Sequence, residues 1–150
     1  MKIYTSYFAK VKRITRKDIV TIGIAINPPD FYTGNNYRPL APSHDLVTEF
    51  NNRQISRATY DKHYNTQLGN LDPNAVLYDL HKISGGRDIT LLCYEKDPKD
   101  CHRSNVSKWL NKTLNLEVEE FYDSKDWDEF EKQKKEERAR QAEKSQRKLF

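Results

Sequence analysis

The sequence predicts an α/β fold: a single layered domain whose mostly parallel sheet is flanked by helices, followed by a charged C-terminal helical tail. Three observations lead there. Two nearly continuous apolar runs, Ile19 to Ile26 and Asp88 to Tyr94, suit strands buried on both faces, as parallel sheets require. Helical stretches separate them. From Ser124 onward the chain is nearly all charge, Gln or Ser, so the core must be built before that point.

In chain order, Ile3 to Phe8 alternates and is rich in aromatic and β-branched residues, a first strand. Ile19 to Ile26 is the second; Asn27-Pro28-Pro29-Asp30 ends it, because proline has no N–H for the ladder and restricts its predecessor. A long irregular loop to Ser43 follows, of a length that is usually functional or mobile. Ser43 caps a helix with Leu46, Val47 and Phe50 on its apolar face. Ser56 to Leu68 forms a second, with Tyr60 and Tyr64 one turn apart. Asp72-Pro73 opens a third, lined by Val76, Leu77 and Leu80 and stopped at Gly85-Gly86. The strand Asp88 to Tyr94, a polar turn from Glu95 to Asp100, and a helix from Cys101 to Leu114 come next. Leu116 to Phe121 reads as an edge strand with its acids facing water.

These elements assign residues 1–123 to the α/β domain and 124–150 to the tail. Hydrophobic residues are only 36% of the chain and mean hydropathy is -0.96, the dilution lying in the tail. There Asp128-Lys132, Glu131-Lys135, Glu136-Arg140 and Glu143-Arg147 place acid before base at helical i, i+4 spacing. Trp127 and Phe130 are its docking anchors, and its distal half is expected to be mobile or ordered by a partner. Net charge is +4 with a pI near 9.0, which permits an anionic partner without requiring one. No stretch reaches the apolar length of a membrane span or resembles a signal peptide, so a cytoplasmic location without membrane contact is expected. Two cysteines are too few for a disulfide scaffold; Cys93 and Cys101 are read as thiols, serving site chemistry or filling space, rather than as a staple.

Ligands of open α/β sheets bind outside the carboxyl ends of the strands, which selects the loops after Ile26 and Tyr94. Asp100 stands where an N-cap belongs, placing Cys101, His102 and Arg103 in the first helical turn, where unpaired N–H groups attract anions. Arg103 and Ser104 would hold a phosphate or carboxylate there. Alternatively, Cys101 is a nucleophile, favoured as thiolate by its position and assisted by His102. Against these stand plainer readings: Cys93 as a buried core residue, Cys101 as a tolerated helix start, His102 facing outward. Cys-x7-Cys-His is not a zinc-ligand spacing and no second ligand pair is visible, so no metal and no cofactor is expected.

Leu91-Leu92-Cys93-Tyr94-Glu95-Lys96 followed by Cys101-His102-Arg103, with Tyr37-Arg38-Pro39-Leu40-Ala41-Pro42 upstream and Tyr4-Thr5-Ser6-Tyr7 at the start, resembles the domain of unknown function 488 family of bacteria, archaea and their phages. The resemblance covers about residues 1 to 122. It implies a Rossmann-like α/β domain and supplies no activity. Carried over by position, it implies a cleft lined by Ser6, Tyr7, Asn27, Arg38, Cys93, Tyr94, Cys101, His102 and Arg103, with Tyr60 and Tyr64 closing it.

Three functions follow as expectations. The first is a polar pocket for a nucleotide or other small anionic ligand, in a binder or an enzyme. The second is a Cys101-dependent hydrolase or transferase. The third is a nucleic-acid binding module using Phe31, Tyr32, Tyr37 and Arg38 of the long loop.

Overall fold

Alternation along the strands decides what each face of the sheet meets. In the computed structural model, which describes residues 1–149, Ile89, Leu91 and Cys93 of one strand join Val20 and Ile22 of its neighbour in the larger core, whereas Leu92 and Ile19 point to a smaller core on the opposite face. The strands are β1 (Ile3–Tyr7), β2 (Ile19–Gly23), β3 (Asn35–Asn36), β4 (Asp88–Cys93) and β5 (Glu119–Glu120). They form one sheet in the order β3-β2-β4-β1-β5, every pairing parallel. Strand β4, buried from Ile89 to Cys93, is the central one.

The larger core is roofed by α1 (His44–Asn51), α2 (Arg57–Gly69), α3 (Pro73–Ser84) and α4 (Arg103–Leu114), through Leu46, Tyr60, Tyr64, Leu68, Val76, Leu80, Val106 and Leu110. Their starts follow the sequence signals. Ser43 and Ser56 accept from the N–H groups of Leu46 and Thr59, and Asp72 accepts from Asn74 ahead of Pro73 in the first turn. Gly85 ends α3 at φ +63°, a left-handed turn that suits a residue without Cβ. The smaller core lies under a 3-10 turn, Phe8–Arg13, with Tyr32 and Phe121 against Phe8 and Leu92.

Four expectations are corrected. The long loop is not wholly irregular, because Asn35 and Asn36 add β3 beside Ile22 and Gly23. The last strand pairs only at Glu119 and Glu120, and Glu120 does not face water: its carboxylate takes Arg103 and the Thr5 hydroxyl. Asp100 does not cap α4. Asp97 starts a separate 3-10 turn, Pro98–Asp100, leaving Cys101 extended and His102 at the N-cap position of a helix that begins at Arg103. Finally, the tail is held by charge as well as by its aromatic residues.

That tail is one helix, α5 (Ser124–Leu149). Trp127 and Phe130 pack edge-on against Tyr122 and each other, but Trp127 stays more than half exposed. Asp126 is buried instead, 2.6 Å from the buried Lys10 Nζ and 2.9 Å from Arg13. Residues 131–148 are exposed throughout. No helix among the described residues is long and apolar enough to cross a membrane.

Candidate functional site

The carboxyl ends of β2 and β4 open into a cleft of about 490 Å³. One wall comes from the segment that follows β2, Ala25 to Asn27. A second comes from α1 and α2, with Val47, Phe50, Arg57 and Tyr60. The third is the segment joining β4 to α4, with Tyr94, Glu95, Asp100, Cys101 and His102. A shallower recess of about 480 Å³ shares Ile26, Asn27, Pro42 and His44 with it and adds Arg38 and Ser43. Volumes of this size are ordinary for small-molecule sites.

At the cleft wall the two cysteines are joined: Cys93 and Cys101 form a disulfide across Cα atoms 6.8 Å apart. The reading of both as separate thiols is therefore corrected for this state. Strand alternation puts Cys93 on the helix-facing side of β4, and the eight-residue excursion through the 3-10 turn brings Cys101 back above it. Cys93 is fully buried behind; Cys101, 4% exposed, lines the cleft.

His102 does not face out. Its Nε2 lies 2.6 Å from the Ile24 carbonyl, a contact that needs the N–H on that nitrogen. Nδ1 is thereby the bare nitrogen, and it sits 3.8 Å from Cys101 Sγ. Burial, followed by the nearby Arg103 and Arg57 charges, outweighs the Ile24 bond and pushes the imidazole down to about 4. Neutral His102 is thus oriented as an acceptor toward Cys101. The Tyr64 ring packs edge-on against it.

Arg103 is the largest departure from expectation. Its side chain is completely buried, and all five N–H donors are used: Nε and Nη2 on the Glu120 carboxylate at 3.0 and 2.8 Å, Nη1 on the Glu95 carbonyl and on Cys93 Sγ at 3.2 Å, Nη2 also on the Lys96 carbonyl at 2.8 Å. None remains for a ligand. Arg103 instead ties β5 and the post-β4 turn together and sets a cation beside the Cys93 sulfur.

Of the other residues expected to bind ligand, Asn27 and Tyr94 line the cleft, the Tyr94 hydroxyl donating to the Asn27 carbonyl, and Arg38 lines the recess. Ser6, Tyr7 and Ser104 do not join them. Ser6 is buried within β1 and its Oγ has no hydrogen-bond partner among the described residues. Tyr7 stacks under Arg103, and Ser104 donates to the Cys101 carbonyl. Tyr60 lines the cleft; Tyr64 does not but lies in the core behind it, its hydroxyl donating to the Leu40 carbonyl at 2.5 Å. Of the aromatic and basic loop residues, Tyr32 and Tyr37 are buried, leaving Phe31 and Arg38 at the surface.

Two basic cleft residues escaped the sequence reading. Arg57 bonds Asp61 at 2.9 Å and the Cys101 carbonyl at 3.4 Å, lies over the Tyr60 ring, and keeps N–H groups without partners among the described residues. His44 opens α1 at the rim. The only sequence signal for Arg57 was its place just after the Ser56 cap. Cys93, Cys101 and His102 also offer three ligand atoms within 4.8 Å of one another, a grouping that their linear spacing hid; while the sulfurs are bonded to each other, neither carries the thiolate that a metal requires.

None of the curated proteins or solved structures compared with the chain matches it. A family model does match, over residues 7–114: DUF488-N3a, described as the active DUF488-N3 subclade. The span takes in β1 from Tyr7, the cleft, both cysteines and all of α4, and on that match the chain belongs to the domain of unknown function 488 family.

Proposed function

We propose that this protein is a thiol-dependent enzyme whose strand-end cleft takes a small anionic ligand, of nucleotide type, and whose Cys101, in its reduced form, is the nucleophile. One observation carries the reading: Cys101 is the sulfur on the cleft wall, and the bare Nδ1 of a fixed neutral imidazole stands 3.8 Å from it. A nucleophile beside a base, the base itself oriented by a third group, is the arrangement that nucleophilic catalysis needs. Here Ile24 is the orienting group.

The anion preference rests on Arg38 and Arg57 in place of Arg103. Arg38 uses two N–H groups on the Ile26 carbonyl and keeps the rest toward the recess, where the first turn of α1 adds its unpaired N–H groups. Phe50, Tyr60 and Val47 give the cleft an apolar wall for the ligand body. Glu95 and Asp100 on the opposite rim would repel a ligand that is anionic at both ends, which favours one charged end and one neutral end.

The test is alkylation of the fully reduced protein with iodoacetamide, followed by intact mass across pH 5 to 9 and repeated with a panel of nucleoside monophosphates. Expected are rapid labelling of Cys101, protection by members of the panel, and loss of protection in Arg38→Ala. Slow labelling with an ordinary thiol titration near 8.5, unaffected by every phosphate tried, would remove the proposal.

A further inference from the structure

We infer that Cys93 and Cys101 form a working dithiol couple, with Cys101 as the attacking thiol and Cys93 as the resolving thiol, and that the couple exchanges with small disulfides carrying anionic groups. This rests on the proposed reactivity of Cys101 and adds small anionic disulfides as reaction partners of that thiol, beside the anionic ligand of the cleft.

Three features separate the roles of the two sulfurs. Cys101 lines the cleft and Cys93 is wholly buried beneath it, so an incoming molecule meets Cys101 first. The sulfurs already form an intramolecular bond, so no chain movement separates the attacking thiol from its resolver. Arg103 Nη1 lies 3.2 Å from Cys93 Sγ, placing a fixed positive charge where the resolving thiolate develops. Structural disulfides have no need of a neutral imidazole on one sulfur and a guanidinium on the other; a couple that must release and regain a proton and a thiolate uses both.

Cys101 Sγ attacks one sulfur of the small disulfide while its proton passes by way of His102 Nδ1 to the departing sulfur; the Cys101–ligand S–S bond forms, the ligand's own S–S bond breaks, and one small thiol leaves. Cys93 Sγ then attacks Cys101 Sγ, its proton going to the departing sulfur, so that the Cys93–Cys101 bond forms, the Cys101–ligand bond breaks and the second small thiol is released. The protein loses two electrons and the small disulfide gains them. A small dithiol reverses both steps.

The probe is 5,5′-dithiobis(2-nitrobenzoate), an anionic disulfide whose released thiolate is coloured, applied to the reduced full-length chain with intact mass as second readout. Wild-type protein should release two thiolates for each reagent molecule consumed and end without an adduct. Cys93→Ser should release one and retain a mixed disulfide on Cys101, with Cys93→Ala repeating the result to guard against a folding effect of serine. Cys101→Ser should react only on unfolding, since Cys93 is buried. A stable adduct on the wild-type protein, or a Cys93 variant that still releases two, would overturn the couple while leaving the proposed nucleophile in place. Cys101 that reacts with neither this reagent nor iodoacetamide would remove both.

Discussion

The Arg103 guanidinium holds the Glu120 carboxylate through two parallel hydrogen bonds, Nε to Oε1 and Nη2 to Oε2, with the arginine fully buried and the glutamate nearly so. A planar five-donor fork meets five acceptors there, a pattern that the compact ammonium of lysine cannot reproduce. Breaking one side of a buried pair leaves the other charge uncompensated, a loss of about 3–5 kcal/mol. Arg103→Lys and Glu120→Gln should therefore both lower the urea midpoint strongly. A lysine variant as stable as wild type would show that the fork geometry is not needed.

His102 gives a pH dependence of definite sign. Its folded value is about 4 against 6.5 when unfolded, so between those values the unfolded chain binds a proton that the folded chain refuses. The contribution is fully present above pH 6.5 and is lost as pH falls toward 4, amounting to about 3 kcal/mol at most. Asp123, held below the usual carboxylate range by Arg13, weakens the fold in the same direction at lower pH. Denaturation of wild type and His102→Gln between pH 4 and 7 separates them: the variant should show a flatter slope in this window.

Lys10 sits among the Tyr7, Phe121 and Tyr122 rings, donates to the Phe121 carbonyl and pairs with Asp126. Replacing Lys10 with Met should release the first turn of α5, seen as faster amide exchange and proteolysis from Ser124 onward, while the cleft keeps its reactivity. Unchanged protection of α5 would show that Trp127 and Phe130 suffice as anchors.

Ser6 offers a test in the opposite direction. Its hydroxyl is buried without a partner among the described residues, and leaving such a group unpaired costs about 1–3 kcal/mol. Ser6→Ala should leave thermal stability equal or raised and ligand protection of Cys101 intact. A marked loss of either would return Ser6 to the site.

Gly23 ends β2 where a Cβ would come within 2.6 Å of Asn36 Oδ1 and 3.1 Å of the Phe8 ring. Asn36 in turn clips Ala25 through its N–H and carbonyl, at 3.4 and 2.8 Å. Gly23→Ala should cost about 1–3 kcal/mol by overpacking and should loosen the cleft wall from Ala25 to Asn27, measurable as a lower melting temperature and weaker ligand protection of Cys101.

What could be read in advance was local. The apolar runs of β2 and β4, the Ser43, Ser56 and Asp72 caps and the Gly85 stop are each written within a few neighbouring residues, and the parallel layering followed from their order. The site depended on distant partners. Glu120 reads as one acid of a solvent-facing edge strand until the sheet carries it beneath Arg103, 17 residues earlier. Arg57 and His44 reach the cleft only because α1 and α2 fold over β2. The cysteine pair was misjudged because cysteine count and compartment were weighed, whereas alternation along β4 and the short return to α4 decide the encounter.

Cys101, His102 and Arg103 are consecutive, yet they serve three separate directions: one toward the cleft, one toward the end of β2, one toward the sheet edge. Their adjacency works as a ruler. Inserting a single residue between His102 and Arg103 would swing α4 by about 100° relative to His102 if the added position is helical, carrying the guanidinium off its acceptors. Such an insertion should cost the fold at least as much as Arg103→Lys, because it displaces every donor of the fork at once.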